Sequence, residues 1–184
     1  MSQLIYKLVT DNNLQKAIEI QNSIFPHENG KQNFIDSIKG VDNREELKYW
    51  LVYFGEILVG VVGLYSYIQY PDDAWMGWYG LLPQYRGKGY GSEIFDFFEE
   101  TAKTKGHKNI RLYTDSIDNL EATKLYYKKG MESEEYTNPD DQMYSVGKLL
   151  IFSKSLTEKT AEKWNNKYLG LTEQENKQNS SENT

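Results

Sequence analysis

The chain has 184 residues, 39% hydrophobic and 26% charged, enough for one well-buried globular domain and too few for two comfortable ones. Its 27 Asp and Glu against 21 Lys and Arg leave a net charge of −6, which disfavours nucleic-acid binding because most of the surface repels phosphate. The lack of Cys excludes disulfides, Cys-rich zinc sites, iron–sulfur clusters and thiol nucleophiles, and with only His27 and His107 as imidazoles no metal site is expected.

The N-terminal MSQLIYKLV has neither the basic start nor the apolar run of a secretory signal, so a cytoplasmic location is expected. IYKLV alternates like a strand, and Leu14, Ile18 and Ile24 or Phe25 then recur at helical spacing until Pro26 ends that helix. Phe34, Ile35 and Ile38 predict a second short helix closing at Gly40. The apolar stretch from Leu51 to Ile68 is long enough to raise the question of a membrane span. Glu56 interrupts it beside Gly55, and Gly60 and Gly63 follow, so LKYWLVYF and ILVGVVGLYSYI read as an antiparallel pair around a turn, with no membrane contact.

Ala74 to Leu82 reads as one strand ending at Pro83. Ser92 to Lys105 follows as a helix with Ile94, Phe95, Phe98 and Ala102 on one face, and NIRLYT as the next strand. This crossover makes its two strands parallel and places ligand sites at their carboxyl ends. A further helix is expected from about Asn119 to Lys129, then closing strands near Glu132 to Tyr136 and Leu149 to Ser155. Ala161, Trp164, Tyr168 and Leu171 fall at helical spacing between Thr157 as N-cap and Gly170, predicting an amphipathic helix over 157–171. Packing against the domain is its plain role, with a homodimer contact or a lid over a substrate as alternatives. The polar tail, residues 172–184, has no aromatic residue and is expected to be disordered.

The segment LLPQYRGKGYGS, Leu81 to Ser92, carries the most chemistry. Gly87, Gly89 and Gly91 lie between a buried strand and the first turn of a helix, where residues without Cβ let successive N–H groups point into one concavity. The partial positive charge of the helix start favours anionic oxygens, so the bend suits a diphosphate. Arg86 and Lys88 add cations beside it in an acidic protein. Other glycine motifs fail: the P-loop pattern is absent, and the dinucleotide fingerprint counted from Gly87 meets Ser92 where its third glycine belongs.

Arg86-x-x-Gly89-x-Gly91, after a strand and opening a helix, resembles the acetyl-CoA loop of the GNAT family of N-acetyltransferases. Asn119-x-x-Ala122-x-x-Leu125-Tyr126-x-Lys128-x-Gly130-Met131 is similar to that family's second conserved helix, one helix and one strand later. In element order the resemblance covers Leu4 to Leu156, which implies an acetyltransferase domain over 1–156. It implies an α/β fold with a central, mixed, mostly antiparallel sheet of about seven strands, a splayed parallel pair and flanking helices. It also implies the diphosphate of acetyl-CoA on the amides of Arg86, Gly87, Lys88, Gly89, Tyr90, Gly91 and Ser92. The backbone of Gly80, Leu81 and Leu82 would pair with the pantetheine arm and orient the thioester carbonyl, and Asn119 would lie near the sulfur. Asn119 is also the expected N-cap of its helix. Met131 stands where the family usually has Phe.

Acetyl transfer to an amine needs a neutral nucleophile and a stabilised leaving thiolate. Deprotonating a lysine-like amine at pH 7 costs about 4.6 kcal/mol, and moving a proton from tyrosine to a thiolate is uphill by about 2 kcal/mol. Tyr126, to which the resemblance assigns this role, therefore acts first as a hydrogen-bond donor to developing charge. Some family members carry a strand Glu as base, but WMGWYGLL contains no acid, so no base is assigned. Asp72, Asp73, Asp115, His27 and Glu28 are candidates, while His107 follows the helix returning to the opposite end of the sheet. The expected reaction is direct transfer from acetyl-CoA to a small-molecule amine in a ternary complex. A protein N-terminal or lysine acetyltransferase and a non-catalytic acetyl-CoA sensor are the alternatives. Trp50, Tyr53, Tyr65, Tyr67, Trp75, Trp78 and Tyr79 are candidates to line an acceptor pocket, and Asp72 and Asp73 to attract a cationic amine.

Overall fold

The computed structural model describes residues 4–173. The chain divides into two compact units, Met1–Lys108 and Asn109–Thr184. Its class is mixed α/β, with eight strands among the described residues, mostly antiparallel, and flanking helices.

In the first unit, β1 (Leu4–Leu8) pairs antiparallel with β2 (Arg44–Phe54), and β2 with β3 (Ile57–Tyr67) through the hairpin at Gly55–Glu56. Helices α1 (Leu14–Ile24) and α2 (Lys31–Lys39) follow β1, as the apolar spacing predicts. Ala17, Ile20, Ile24 and Phe34 pack with Tyr49, Leu51, Tyr53 and Val61 of β2 and β3 into one core, an alternation that puts every second strand residue on the helical side.

The strand expected from Ala74 to Leu82 is two strands. β4 (Tyr70–Met76) pairs with the far half of β3, at Leu64↔Met76 and Tyr65↔Trp75; β5 (Gly80–Leu81) pairs with its near half, at Val61↔Gly80 and Gly60↔Leu81. Val62 and Gly63 of β3 thus face three residues, Gly77, Trp78 and Tyr79. That extra residue is a β-bulge, which sequence periodicity does not reveal because it is a property of the pairing. A 3-10 turn at Pro83–Tyr85 leads to α3 (Tyr90–Thr104), whose Ile94, Phe95, Phe98 and Ala102 are buried as expected.

In the second unit, β6 (Asn109–Asp115) and β7 (Glu132–Glu135) both pair antiparallel with β8 (Leu149–Ser155), and α4 (Leu120–Lys128) precedes β7. The helix expected over 157–171 does not form. Asn165 and Asn166 adopt the left-handed conformation that asparagine tolerates, and the Glu134 carboxylate takes the N–H groups of Trp164 and Asn165, both at 2.8 Å. Trp164 and Leu171 are buried as the predicted face requires, but Tyr168 is half exposed and Leu169 is buried in its place. The segment is an irregular strap: Arg111, itself buried, donates to Ser153 and the Glu162 carbonyl with its guanidinium against the Trp164 ring. Buried Asp141 accepts from the N–H groups of Leu169, Gly170 and Thr172 and from the Tyr136 hydroxyl. Most of the expected disordered tail, from residue 174, lies outside the described residues.

Candidate active site

The glycine loop in the first unit is held from behind and open in front. Arg86 Nε donates to the Leu81 carbonyl at 2.9 Å and its N–H to Pro83, tying the loop to the strand it leaves. The Tyr79 hydroxyl donates to the Gly91 carbonyl at 2.8 Å, fixing the first turn of α3 against the bulge. Gly87 and Gly89 have φ of 72° and 87°, the region that favours glycine, and a Cβ at either meets no atom within 4 Å. No backbone hydrogen bond from the amides of Gly87, Lys88 or Gly89 appears among the described residues. Tyr90, Gly91 and Ser92 open the helix, where N–H groups lack intrahelical partners. Free donors, a bend with no Cβ in the way and the positive end of a fifteen-residue helix fit a diphosphate. Lys88 lies over the Tyr85 ring, exposed beside this cradle.

Gly80 to Leu82 run directly before it. A Cβ at Gly80 would come within 2.6 Å of Ile24 and 2.8 Å of Phe25, so the end of α1 closes down on this strand where only glycine leaves room. Gly60 approaches from the other side, where an added Cβ would lie 2.5 Å from the Gly80 carbonyl oxygen. Phe25 also packs against Trp78 at 5.1 Å. Of the aromatic residues expected to line a pocket, Tyr53, Tyr65, Tyr67 and Trp75 are core side chains instead, and Trp50 meets Phe97 edge-on. Trp78 and Tyr79 alone of that group sit in the bulge.

In the second unit, Asn119 and Tyr126 lie at opposite ends of α4. Asn119 occupies the N-cap position, but its side chain makes no cap bond; it donates to the Thr114 hydroxyl at 3.1 Å. Tyr126 is buried, edge-on to Phe152, and burial raises its phenol above the ordinary tyrosine range. Tyr127 is half exposed, its ring also edge-on to Phe152 and its hydroxyl bonded to Ser133.

The base candidates fare differently. Asp115 accepts from the N–H groups of Ile117, Asp118 and Gly147 and from the Ser145 hydroxyl. Burial would raise its pKa, but these donors outweigh it and hold the carboxyl below the usual range, unsuited to taking a proton. The signal in the sequence was the Asp followed by a short polar turn, since aspartate binds the N–H two residues on. Asp72 pairs with Lys108 at 2.8 Å, five residues or about 16 Å of extended strand before Gly77, and Asp73 is buried. Neither is placed to draw an amine to the bulge. His27 and Glu28 are exposed in the loop after α1. His107 is buried, one ring nitrogen on the Pro71 carbonyl.

A family model described as the acetyltransferase (GNAT) family matches residues 14–131. The chain belongs to this family. A search of curated proteins finds no match, whereas solved structures give many. Arabidopsis thaliana Naa50, in complex with the bisubstrate analogue CoA-Ac-MVNAL, aligns with TM-score 0.66 and 22% identity over 84% of this chain and all of that one. The ribosomal-protein-S18-alanine N-acetyltransferase of Escherichia coli gives 0.63 and 14% over 90% and 99%. The IAA acetyltransferase of Bacillus cereus gives 0.60 and 15% over 83% and 99%. At such identities the likeness is one of fold. Membership makes this GNAT chain an acetyl-CoA-dependent N-acetyltransferase, and the cradle before α3 suits its cosubstrate. Among the described residues no group is placed to hold a metal ion, and no helix is long and apolar enough to cross a membrane.

Proposed function

We propose that this enzyme moves acetyl from acetyl-CoA to the primary amine of a small molecule by direct attack in a ternary complex. The observation carrying the acceptor class is the closure of Ile24 and Phe25 onto Gly80, with Phe25 against Trp78. An apolar wall at van der Waals distance from the thioester-facing strand leaves little width for a peptide. The amides of Gly87 to Ser92 hold the diphosphate, with Arg86 bracing the bend and Lys88 beside it, and the backbone of Gly80 to Leu82 holds the pantetheine arm. Acetyl-CoA supplies an activated acetyl group with a thiolate as leaving group. Tyr126, kept protonated by burial, donates a hydrogen bond to the departing sulfur, and Asn119 lies near it. Because burial makes full proton transfer costlier than the about 2 kcal/mol of the free groups, the role is electrostatic. Without cysteine in the chain, direct attack needs no acyl-enzyme.

A second reading, acetylation of a protein N-terminus, is favoured by what Naa50 and the ribosomal-protein enzyme are. Thiol release from acetyl-CoA over a panel of small amines and of short peptides with free N-termini separates the two. Turnover on small amines alone is expected, and turnover confined to peptides would overturn the small-molecule reading.

A further inference from the structure

The bulge at Gly77 to Tyr79 needs something to hold it, because an extra residue leaves backbone groups outside the ladder. Tyr49 of β2 stands directly opposite Gly63 of β3. A Cβ at Gly63 would lie 2.3 Å from the Tyr49 ring, so the phenol crosses β3 through the gap this glycine leaves. On the far side its hydroxyl arrives at Gly77, where an added Cβ would be 2.9 Å away, so a second glycine opens the same trough. Gly77 N–H makes the last ladder bond, to Gly63, at 2.9 Å. The next residue, Trp78, has its backbone hydrogen-bonded to the Tyr49 phenol oxygen. Phe34 of α2 closes the trough from above, edge-on to Tyr49 at 5.1 Å.

We infer that Tyr49 is a positioning residue for acetyl transfer: through Gly63 and Gly77 its hydroxyl pins the bulge that aims the Gly80–Leu82 backbone at the thioester. The phenol is suited to this structural bond. Burial raises it far above its ordinary range, despite the opposing Arg44 guanidinium and Trp78 bond, so it stays neutral. The Val61↔Gly80 pair lies two residues past Trp78, so a backbone shift at the bulge passes straight into the strand that faces the cosubstrate. A misplacement of about 1 Å there is enough to cost up to about a hundredfold in rate. The inference rests on the proposed placement of the thioester against Gly80 to Leu82.

The test uses Tyr49→Phe, which keeps the ring in its trough, and acetyl-CoA labelled with carbon-13 at the carbonyl. In the wild-type enzyme the carbonyl resonance should shift on binding. In Tyr49→Phe that shift should shrink and the Trp78 amide should exchange faster, while CoA affinity stays within about twofold and turnover falls about tenfold. An unchanged carbonyl shift in the variant, or a smaller one without faster exchange at Trp78, overturns the role of Tyr49. A wild-type carbonyl that does not respond to binding instead overturns the thioester placement, and the inference with it. Loss of CoA binding together with a large fall in thermal midpoint would make Tyr49 a core residue only and overturn the assignment.

Discussion

Gly89→Asp tests the anion cradle, with Gly89→Ala as its control. Gly89 is the N-cap of α3 at φ 87°, ψ −9°, so alanine there carries about 1–2 kcal/mol of strain and aspartate, which tolerates this region better, no more than that; the strain alone would therefore not make the aspartate variant the weaker binder. A Cβ meets nothing within 4 Å, so neither variant clashes with the protein. The difference is charge. A carboxylate about 5 Å from a phosphate oxygen is repelled by about 1 kcal/mol in water and about 3 kcal/mol at an effective dielectric of 20, which is roughly five- to 150-fold in Kd. The cradle amides also become partners of the new carboxylate, competing with the ligand in the same direction. Calorimetry with CoA should show the aspartate variant weaker than the alanine variant by that range at about 0.05 M salt. The gap should narrow at about 1 M, where the Debye length is near 3 Å. Equal affinity of the two variants at low salt, or a gap that ignores salt, would refute a diphosphate on this loop.

Tyr126→Phe should lower turnover by about a hundredfold and leave CoA affinity nearly unchanged, and steady-state kinetics showing unaltered turnover would remove the phenol from the mechanism. Burial raises Tyr6, Tyr49 and Tyr126, so the fold keeps protons that the unfolded chain loses above about pH 10. Stability should therefore hold up to that pH and fall beyond it, and any loss of rate between pH 8 and about 10 should persist in Tyr126→Phe. Asp115 has the opposite sign: its carboxyl is depressed, so its stabilisation is present above about pH 3.9 and fades as acid protonates it, and Asp115→Asn should flatten the acid limb of a melting-temperature profile. Asp141→Ala removes the acceptor of three strap N–H groups and one of the two acceptors of the Tyr136 hydroxyl and should cost about 3 kcal/mol in urea unfolding.

The helices and the hairpin were legible because their signals are local. Ile94, Phe95, Phe98 and Ala102 repeat at the helical period and are buried together, and Gly55–Glu56 joins two alternating strands. The bulge was hidden because Ala74 to Leu82 is continuous as a pattern, and only pairing with β3 shows two residues facing three. Tyr49 was one of 15 tyrosines until register set it opposite Gly63. The strap misled for a related reason: its apolar spacing is compatible with a helix, but the acceptor that takes its backbone, Glu134, lies thirty residues earlier in Trp164's case. Side chains that satisfy backbone from a distance, as Glu134, Asp141 and Arg111 do, leave no local pattern.

The second motif owes its form to the end of α4. Gly130 at φ 80° lets the N–H of Met131 bond the Tyr126 carbonyl and its own N–H bond that of Tyr127, at 3.1 and 2.9 Å, which is the Schellman arrangement. Met131 is buried, as the residue after such a glycine commonly is. This closure fixes the last turn of α4 by two bonds from beyond the helix, one on the residue that carries the phenol. Both tyrosine rings meet Phe152 edge-on, but Tyr126 is buried while Tyr127, one residue or about 100° further round, is half exposed. Met131 in place of the family's usual Phe preserves the apolar contact that the cap needs, so that departure touches neither the turn nor Tyr126. The glycine cap and the burial of Tyr126 thus go together in one turn, and the spacing from Tyr126 to Gly130 is what the sequence pattern records.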